Sequence, residues 1–166
     1  MKVRSLPAVG RRVLGSMGGS VQTSAANGLS SGGSVDGMVT REDAVRIVTD
    51  LPEVTEGLRF RNVTWSVDGK PFAWDRPFSK ADLKRFGDVT PAQGPILAVR
   101  VEDLLEKEAV LADASEAVCD IAHFEGYPAA LITLSEVEPD ELRELVVGAW
   151  ATCAPPIVVE KFLGDR

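Results

Sequence analysis

The sequence predicts an α+β domain, a two-layer sandwich in which helices pack largely on one face of a mostly antiparallel sheet. Three observations support this class. Runs with strand-like alternation are joined by short turns, whereas parallel strands need long crossovers. Helical periodicity recurs in several separate segments, and no glycine-rich strand–turn–helix motif accompanies it. The chain has 166 residues, 45% of them apolar, which is enough for one ordinary core.

A change of composition near residue 38 divides the chain. Residues 1–37 are rich in Gly, Ser and Ala and show no sustained hydrophobic periodicity. A segment of this kind buries too little surface to offset the entropy lost on ordering. We expect residues 1–37 to be a disordered leader or the product of a mis-assigned start, with an organellar transit peptide as a looser fit, and residues 38–166 to form the domain.

The domain is expected to begin with a helix over 40–50, capped by Thr40. A hairpin should follow, with strands over 63–67 and 70–74, because Asp68-Gly69 between alternating runs favours a two-residue turn. The alternation places Val63, Trp65 and Val67 on one face of the first strand. It likewise places Phe72 and Trp74 on one face of the second strand.

Three elements are expected in the middle of the domain. A short helix begins at Ser79, with Asp82 at the capping-box position. Residues 95–101 form a third strand, and residues 102–112 form an acidic helix. The apolar stripe of that helix is Leu104, Leu105 and Leu111.

The last elements include the only histidine and the only tyrosine of the chain. A second hairpin is expected from 118–123 and 128–134 around Glu125-Gly126, with the glycine supplying a positive φ. A long amphipathic helix begins near Pro139, and 157–163 forms a short closing helix.

Charge is distributed unevenly along the domain. Residues 38–166 carry a net charge of −10, so their overall charge does not favour nucleic acid. Residues 59–85 nevertheless carry +4, with aromatic side chains interleaved. The basic residues of this segment are Arg59, Arg61, Lys70, Arg76, Lys80, Lys84 and Arg85.

Two interpretations of this basic segment stay open. Its cations could contact phosphates while Trp74 stacks on a base. Alternatively, the aromatic side chains pack in the core and the cations form a solvated face paired with nearby acids.

His123 and Tyr127 are a possible surface site. A histidine beside Glu125 could act as a base or a ligand, but a base needs a positioned partner and a metal site needs further ligands. Histidine at a strand end is more typical of a hydrogen-bonded structural residue. We find no phosphate-binding loop, zinc-protease motif or nucleophile elbow, so we predict no enzyme, no cofactor and no metal.

The acidic helix offers a different function. A carboxylate ridge can meet a basic protein partner or collect cations, although a solvated helix face is the ordinary explanation. The acids concerned are Glu102, Asp103, Glu106, Glu108, Asp113 and Glu116.

Several stretches resemble the MmcQ/YjbR family, and together they cover nearly all of 38–166. They are the helix 40–50 with 51–57, the turn 68–70, the strand 97–101, the sequence His-Phe-Glu-Gly-Tyr-Pro-Ala at 123–129, and 138–150 with Ala154-Pro155. The resemblance implies a CyaY-like (frataxin-like) fold and DNA binding, and it supplies no catalytic residues. The expanded segment 75–94 departs from the family pattern.

We therefore expect a non-enzymatic, cytoplasmic DNA-binding protein that acts through the basic segment. The alternatives are an acidic module for a basic protein partner and, less favoured, a metal-binding frataxin-like module. No apolar run is long enough to span a membrane. We further expect a monomer or weak dimer, with Cys119 and Cys153 as buried, reduced thiols.

Overall fold

The structure is a computed structural model that describes residues 37–91 and 93–165. The predicted leader, apart from Gly37, lies outside these residues. The helices are α1 (Arg41–Thr49), α2 (Lys80–Phe86), α3 (Leu104–Asp113), α4 (Pro139–Cys153) and α5 (Pro156–Gly164). The strands are β1 (Val54–Arg59), β2 (Asn62–Val67), β3 (Lys70–Asp75), β4 (Ile96–Arg100), β5 (Val118–Cys119) and β6 (Ala129–Thr133), with one 3-10 turn at Ala122–Phe124.

The six strands form one sheet in the order β1-β2-β3-β4-β6-β5, and every neighbouring pair is antiparallel. Chain order is broken only where β6 lies between β4 and β5. The predicted α+β class and the antiparallel sheet are therefore confirmed. The sheet edges are β1 and the two-residue strand β5.

The two faces of the sheet are covered to different extents. The first face carries the main core, to which α1, α3, α4 and α5 all contribute side chains. The second face carries a smaller cluster around Ile96, Ala98, Phe124 and Leu131, covered by the 3-10 turn and by Phe78 before α2. Alternate residues of β4 and β6 point to opposite faces, as strand geometry requires.

Local signals place several helices where the sequence predicts them. Thr40 caps α1 and Ser79 caps α2, each in a reciprocal capping box with the acid three residues later. Such a cap contributes about 1 kcal/mol to stability. Helix α4 begins with Pro139 at its first turn and lies over β3 and β4. Its Trp150 is fully buried and donates a hydrogen bond to the carbonyl of Pro52 at 3.0 Å.

The prediction that Phe72 and Trp74 share a face is wrong. Trp65 pairs with Ala73 and Ser66 pairs with Pro71, so Phe72 is an extra residue in the ladder, a β-bulge. Phe72 therefore points into the main core, whereas Trp74 points to the second face. A single inserted residue reverses the alternation that the sequence pattern assumes.

Strand β1 has no counterpart among the predicted elements. It pairs with β2, to which the two-residue turn Phe60-Arg61 joins it. Val54 is half-buried, and the other five residues of the strand are exposed. Because both of its faces meet solvent, the strand has no hydrophobic alternation to reveal it. Its turn also lacks the Asn-Gly or Asp-Gly signal of a two-residue hairpin.

The second predicted hairpin is wrong in its details. Strand β5 ends at Cys119, four residues before the predicted boundary, and the chain then makes the 3-10 turn before β6. Gly126 has φ +74°, so the expected positive φ is confirmed. The connection is a structured loop over 120–128, which we call the histidine loop, rather than a tight turn.

Candidate nucleic-acid interface

The tip of the β1–β2 hairpin presents an aromatic ring between two arginines. Phe60 is 85% exposed, and Arg59 and Arg61 are exposed on either side of it. The Arg59 guanidinium lies 5.6 Å from the centre of the Phe60 ring. Phe60 and Arg61 have φ values of +50° and +67°, which suit a type I′ turn but are unfavourable for side chains other than Gly, Asn and Asp.

Helix α2 supplies the other exposed cations. Its capping box fixes the start of the helix, and Lys80, Lys84 and Arg85 all face solvent. Lys84 and Arg85 lie in the last turn, where positive charge complements the helix dipole. The short helix therefore holds three cations on a capped scaffold.

The hairpin tip and the end of β3 that precedes α2 lie at the same end of the sheet. Thr64 pairs with Trp74, so the end of β3 that leads into α2 lies beside the end of β2 that follows the tip. The exposed cations of the hairpin tip and of α2, which begins five residues after β3 ends, form no ion pair with any described residue. We call these five residues the basic end: Arg59, Arg61, Lys80, Lys84 and Arg85.

The structure separates Lys70 from the basic end. Lys70 follows the Asp68-Gly69 turn at the opposite end of β2, with its Nζ 3.7 Å from Asp68. Six residues of strand, about 20 Å, separate the two ends.

Arg76 lies at the correct end of the sheet but has partners within the protein. Its guanidinium bonds to the buried Asp82 at 2.9 Å and lies 5.4 Å from the centre of the Phe124 ring. Burial opposes ionisation of Asp82. Hydrogen bonds from the Ser79 backbone and hydroxyl and from Arg76 outweigh it and hold the pKa of Asp82 below its usual value.

Trp74 is half-buried in an aromatic cluster on the second face. Its ring makes edge-to-face contacts with Phe124 at 6.4 Å and Tyr127 at 6.5 Å between ring centroids. Phe124 and Tyr127 stack on each other at 5.6 Å. Trp74 therefore helps to hold the histidine loop on the sheet, and the most exposed aromatic ring lies instead at Phe60.

A buried lysine anchors the histidine loop from beneath. The Lys107 ammonium of α3 donates to the carbonyls of Phe124 at 2.7 Å and Tyr127 at 3.0 Å, and lies 2.9 Å from the carboxylate of Asp120. Only 5% of the Lys107 side chain is exposed. His123 is exposed at the surface of this loop, and Tyr127 is 41% exposed.

Sequence reasoning missed Lys107, although one signal was present. Lys107 is the only basic residue between Glu102 and Glu116, a stretch crowded with acids. A lone cation on an acidic helix is a candidate for a specific internal partner, since it adds little to a solvated acidic face.

The apolar stripe predicted for α3 is wrong at two of its three positions. Leu104 is 46% exposed and Leu105 is 75% exposed, while Leu111 packs against the main core. The helix faces the protein with Lys107, Val110 and Leu111. Two leucines therefore lie on the surface among the acids of the first turn of α3.

Within 37–91 and 93–165, no three His, Cys, Asp or Glu side chains come together as a metal-binding group. In the same ranges, no helix combines the length and apolar character needed to cross a bilayer. Cys119 and Cys153 are free thiols on opposite faces of the sheet, and burial raises the pKa of each. Cys153 is buried as expected, whereas Cys119 is only half-buried.

Fold and surface together define a small α+β sandwich domain that has an acidic body and a basic end. The chain is 40% identical over 131 residues to the uncharacterized protein Rv2570 of Mycobacterium tuberculosis and to the uncharacterized protein Mb2600 of Mycobacterium bovis. Each alignment covers 77% of this chain and 98% of the relative. The chain belongs to the same family as these mycobacterial proteins. No protein-family model matches it, and no solved structure does.

Proposed function

We propose that this protein is a non-enzymatic DNA-binding protein that contacts phosphates through the basic end. The observation that carries the proposal is the set of exposed cations on the hairpin tip and on α2, without internal ion pairs among the described residues, in an otherwise acidic domain. The competing interpretation was that the aromatic side chains pack in the core and the cations pair with nearby acids. Trp65 and Phe72 do pack in the core, and Lys70 and Arg76 do have acidic partners. The five cations of the basic end have no such partner among the described residues.

The location of the cations matters because the whole domain is acidic. Residues outside 59–85 in the domain carry −14, so a duplex is repelled from most of the surface. Lys70 and Arg76 already have acidic partners and are left out of the proposed site. The resemblance to the MmcQ/YjbR family supports the same function, and membership in that family with a CyaY-like fold is part of the proposal.

Salt dependence tests the proposal directly. Fluorescence anisotropy with a labelled duplex would be measured at about 50 and 200 mM salt. If all five cations contact phosphates, the slope of log K against log salt should be about −4 to −5. Absence of binding at the lower salt concentration would refute the proposal.

Two double variants with the same net charge locate the site. Lys84→Gln/Arg85→Gln should weaken binding at low salt and reduce the steepness of the slope by about 2. The matched control is Arg143→Gln/Lys161→Gln, which removes two exposed cations outside the basic end. Equal weakening in the two double variants would indicate a response to net charge and contradict the assigned site.

The exposed leucines of α3 favour a second candidate, a protein-interaction module. Leu105 is 75% exposed and lies beside Glu106 and Glu108, so a basic amphipathic segment would find both apolar and charged contacts there. A pull-down that retrieves one basic protein, and loses it in Leu105→Gln and in Glu108→Lys, would support this function. Retention of that protein by both variants would exclude α3 as the contact.

A further inference from the structure

The hairpin tip has a shape and a backbone conformation that phosphate binding alone does not require. Phe60 is the most exposed of the large apolar side chains in the described residues. It occupies a left-handed backbone position that Asn or Gly would fill without strain. A bulky apolar residue that occupies such a position and is exposed to solvent is a reason to look for a binding role.

We infer that Phe60 is a wedge that inserts between adjacent base pairs of duplex DNA and bends the duplex, and this inference rests on the proposed function. Arg59 and Arg61 flank the ring, so the phosphates on either side of a step would meet a cation as the ring enters. Architectural proteins unstack base steps with apolar side chains in this way and recover the energy in additional contacts to the bent duplex.

Duplex DNA fits the tip better than single strands do. A protein that binds single strands offers several aromatic platforms along a basic groove, one for each successive base. Here one ring stands alone at the apex, because Trp74 and Tyr127 pack against each other on the second face of the sheet. A single apical ring matches a single opened step.

Bending is measured separately from binding. A duplex of about 25 base pairs carrying a donor and an acceptor dye at its ends reports bending by energy transfer, and a central TA step gives the most easily opened site. Wild-type protein should raise transfer efficiency at saturation. Phe60→Asn should bind with a Kd within about tenfold of wild type, because the cations remain, yet leave the efficiency at the level of free DNA.

The choice of Asn removes misfolding as an explanation. Asn is favoured at the first position of a type I′ turn, so Phe60→Asn should unfold at a higher denaturant concentration than the wild type while failing to bend DNA. The matched control is Leu58→Thr, which removes a 77% exposed apolar side chain from the same hairpin outside its apex. This control should bend DNA as the wild type does.

Each contrary result has a distinct meaning. Wild-type binding without bending, or unchanged bending in Phe60→Asn, would overturn the wedge and leave the proposed function standing. Equal loss of bending in Leu58→Thr would assign the effect to hairpin hydrophobicity and also overturn the wedge. Absence of duplex binding would overturn both. Binding to anionic phosphatidylserine vesicles that is lost in Phe60→Asn, without DNA bending, would assign the tip to a membrane surface instead.

Discussion

Replacement of the buried Lys107 by methionine should destabilise the domain, because the ammonium of this residue anchors the histidine loop. Methionine keeps the length and apolar stem of lysine but lacks the ammonium. The variant therefore removes the donor to the Phe124 and Tyr127 carbonyls and the partner of Asp120, and leaves no large cavity.

The size of the effect follows from which partners remain buried. The Phe124 carbonyl bond is buried and the Tyr127 bond is partly buried, and each carbonyl left without a donor costs about 1–3 kcal/mol. The Asp120 side chain keeps 32% of its surface exposed, so water can replace the lost cation there at little cost. The methionine no longer carries the desolvation penalty of a buried charge, which offsets part of the loss. A net loss of about 3 kcal/mol is expected.

Urea unfolding followed by tryptophan fluorescence measures this loss. The matched control is Lys161→Met, because Lys161 is exposed on α5 and its replacement should change the free energy of unfolding by less than about 0.5 kcal/mol. Hydrogen exchange in residues 121–127 should also be faster in the Lys107 variant than in the wild type, and the increase there should exceed any increase in β4. A Lys107→Met variant as stable as the Lys161→Met control would refute the anchoring role of Lys107.

Two further predictions concern single side chains. Asp82→Asn should lower the free energy of unfolding by about 2 kcal/mol near neutral pH, because it leaves the nearly buried Arg76 without its anion. Since the folded pKa of Asp82 lies below the ordinary pKa of an aspartate, this contribution is present above that ordinary value and is lost as the pH falls through the folded pKa. Urea titrations of both proteins from pH 6 down to about 2.5 should therefore converge at the acid end, and a gap that widens with acid would contradict this sign. Phe60→Asn should raise the free energy of unfolding by about 1 kcal/mol, measured in the same way, and a loss of stability would show that the left-handed conformation is not strained.

The parts of the fold that sequence could predict depend on short-range signals. Thr40 with Asp43, Ser79 with Asp82, and the Asp68-Gly69 turn each act within four residues, and all appear where the pattern places them. Where long-range packing decides, the sequence can mark an unusual residue but does not identify its partners. Lys107 acts on carbonyls 17 and 20 residues away, and a backbone carbonyl carries no residue-specific signal.

The candidate site shows the same division. Charge counting found the basic segment, and the structure leaves the cations of the hairpin tip and of α2 exposed. Charge counting could not exclude Lys70, because the direction of each strand decides which turn lies at which end. Nor could it select Phe60 over Trp74 as the exposed ring, since a β-bulge and the packing of the histidine loop determine where Trp74 lies.

The spacing of charges across the sheet bears on whether an acidic domain can bind DNA at all. The acidic helix α3 contacts β6, which is separated from β1 by four interstrand spacings, about 19 Å. That distance is about twice the Debye length at 0.1 M salt, so repulsion from α3 is largely screened at the hairpin tip at that ionic strength. At about 0.01 M the Debye length grows to about 30 Å and the same acids oppose binding. Affinity should therefore rise less steeply below about 0.05 M salt than phosphate contacts alone predict. A plot of log K against log salt that stays straight to the lowest salt would show that the acids of α3 do not repel DNA bound at the hairpin tip.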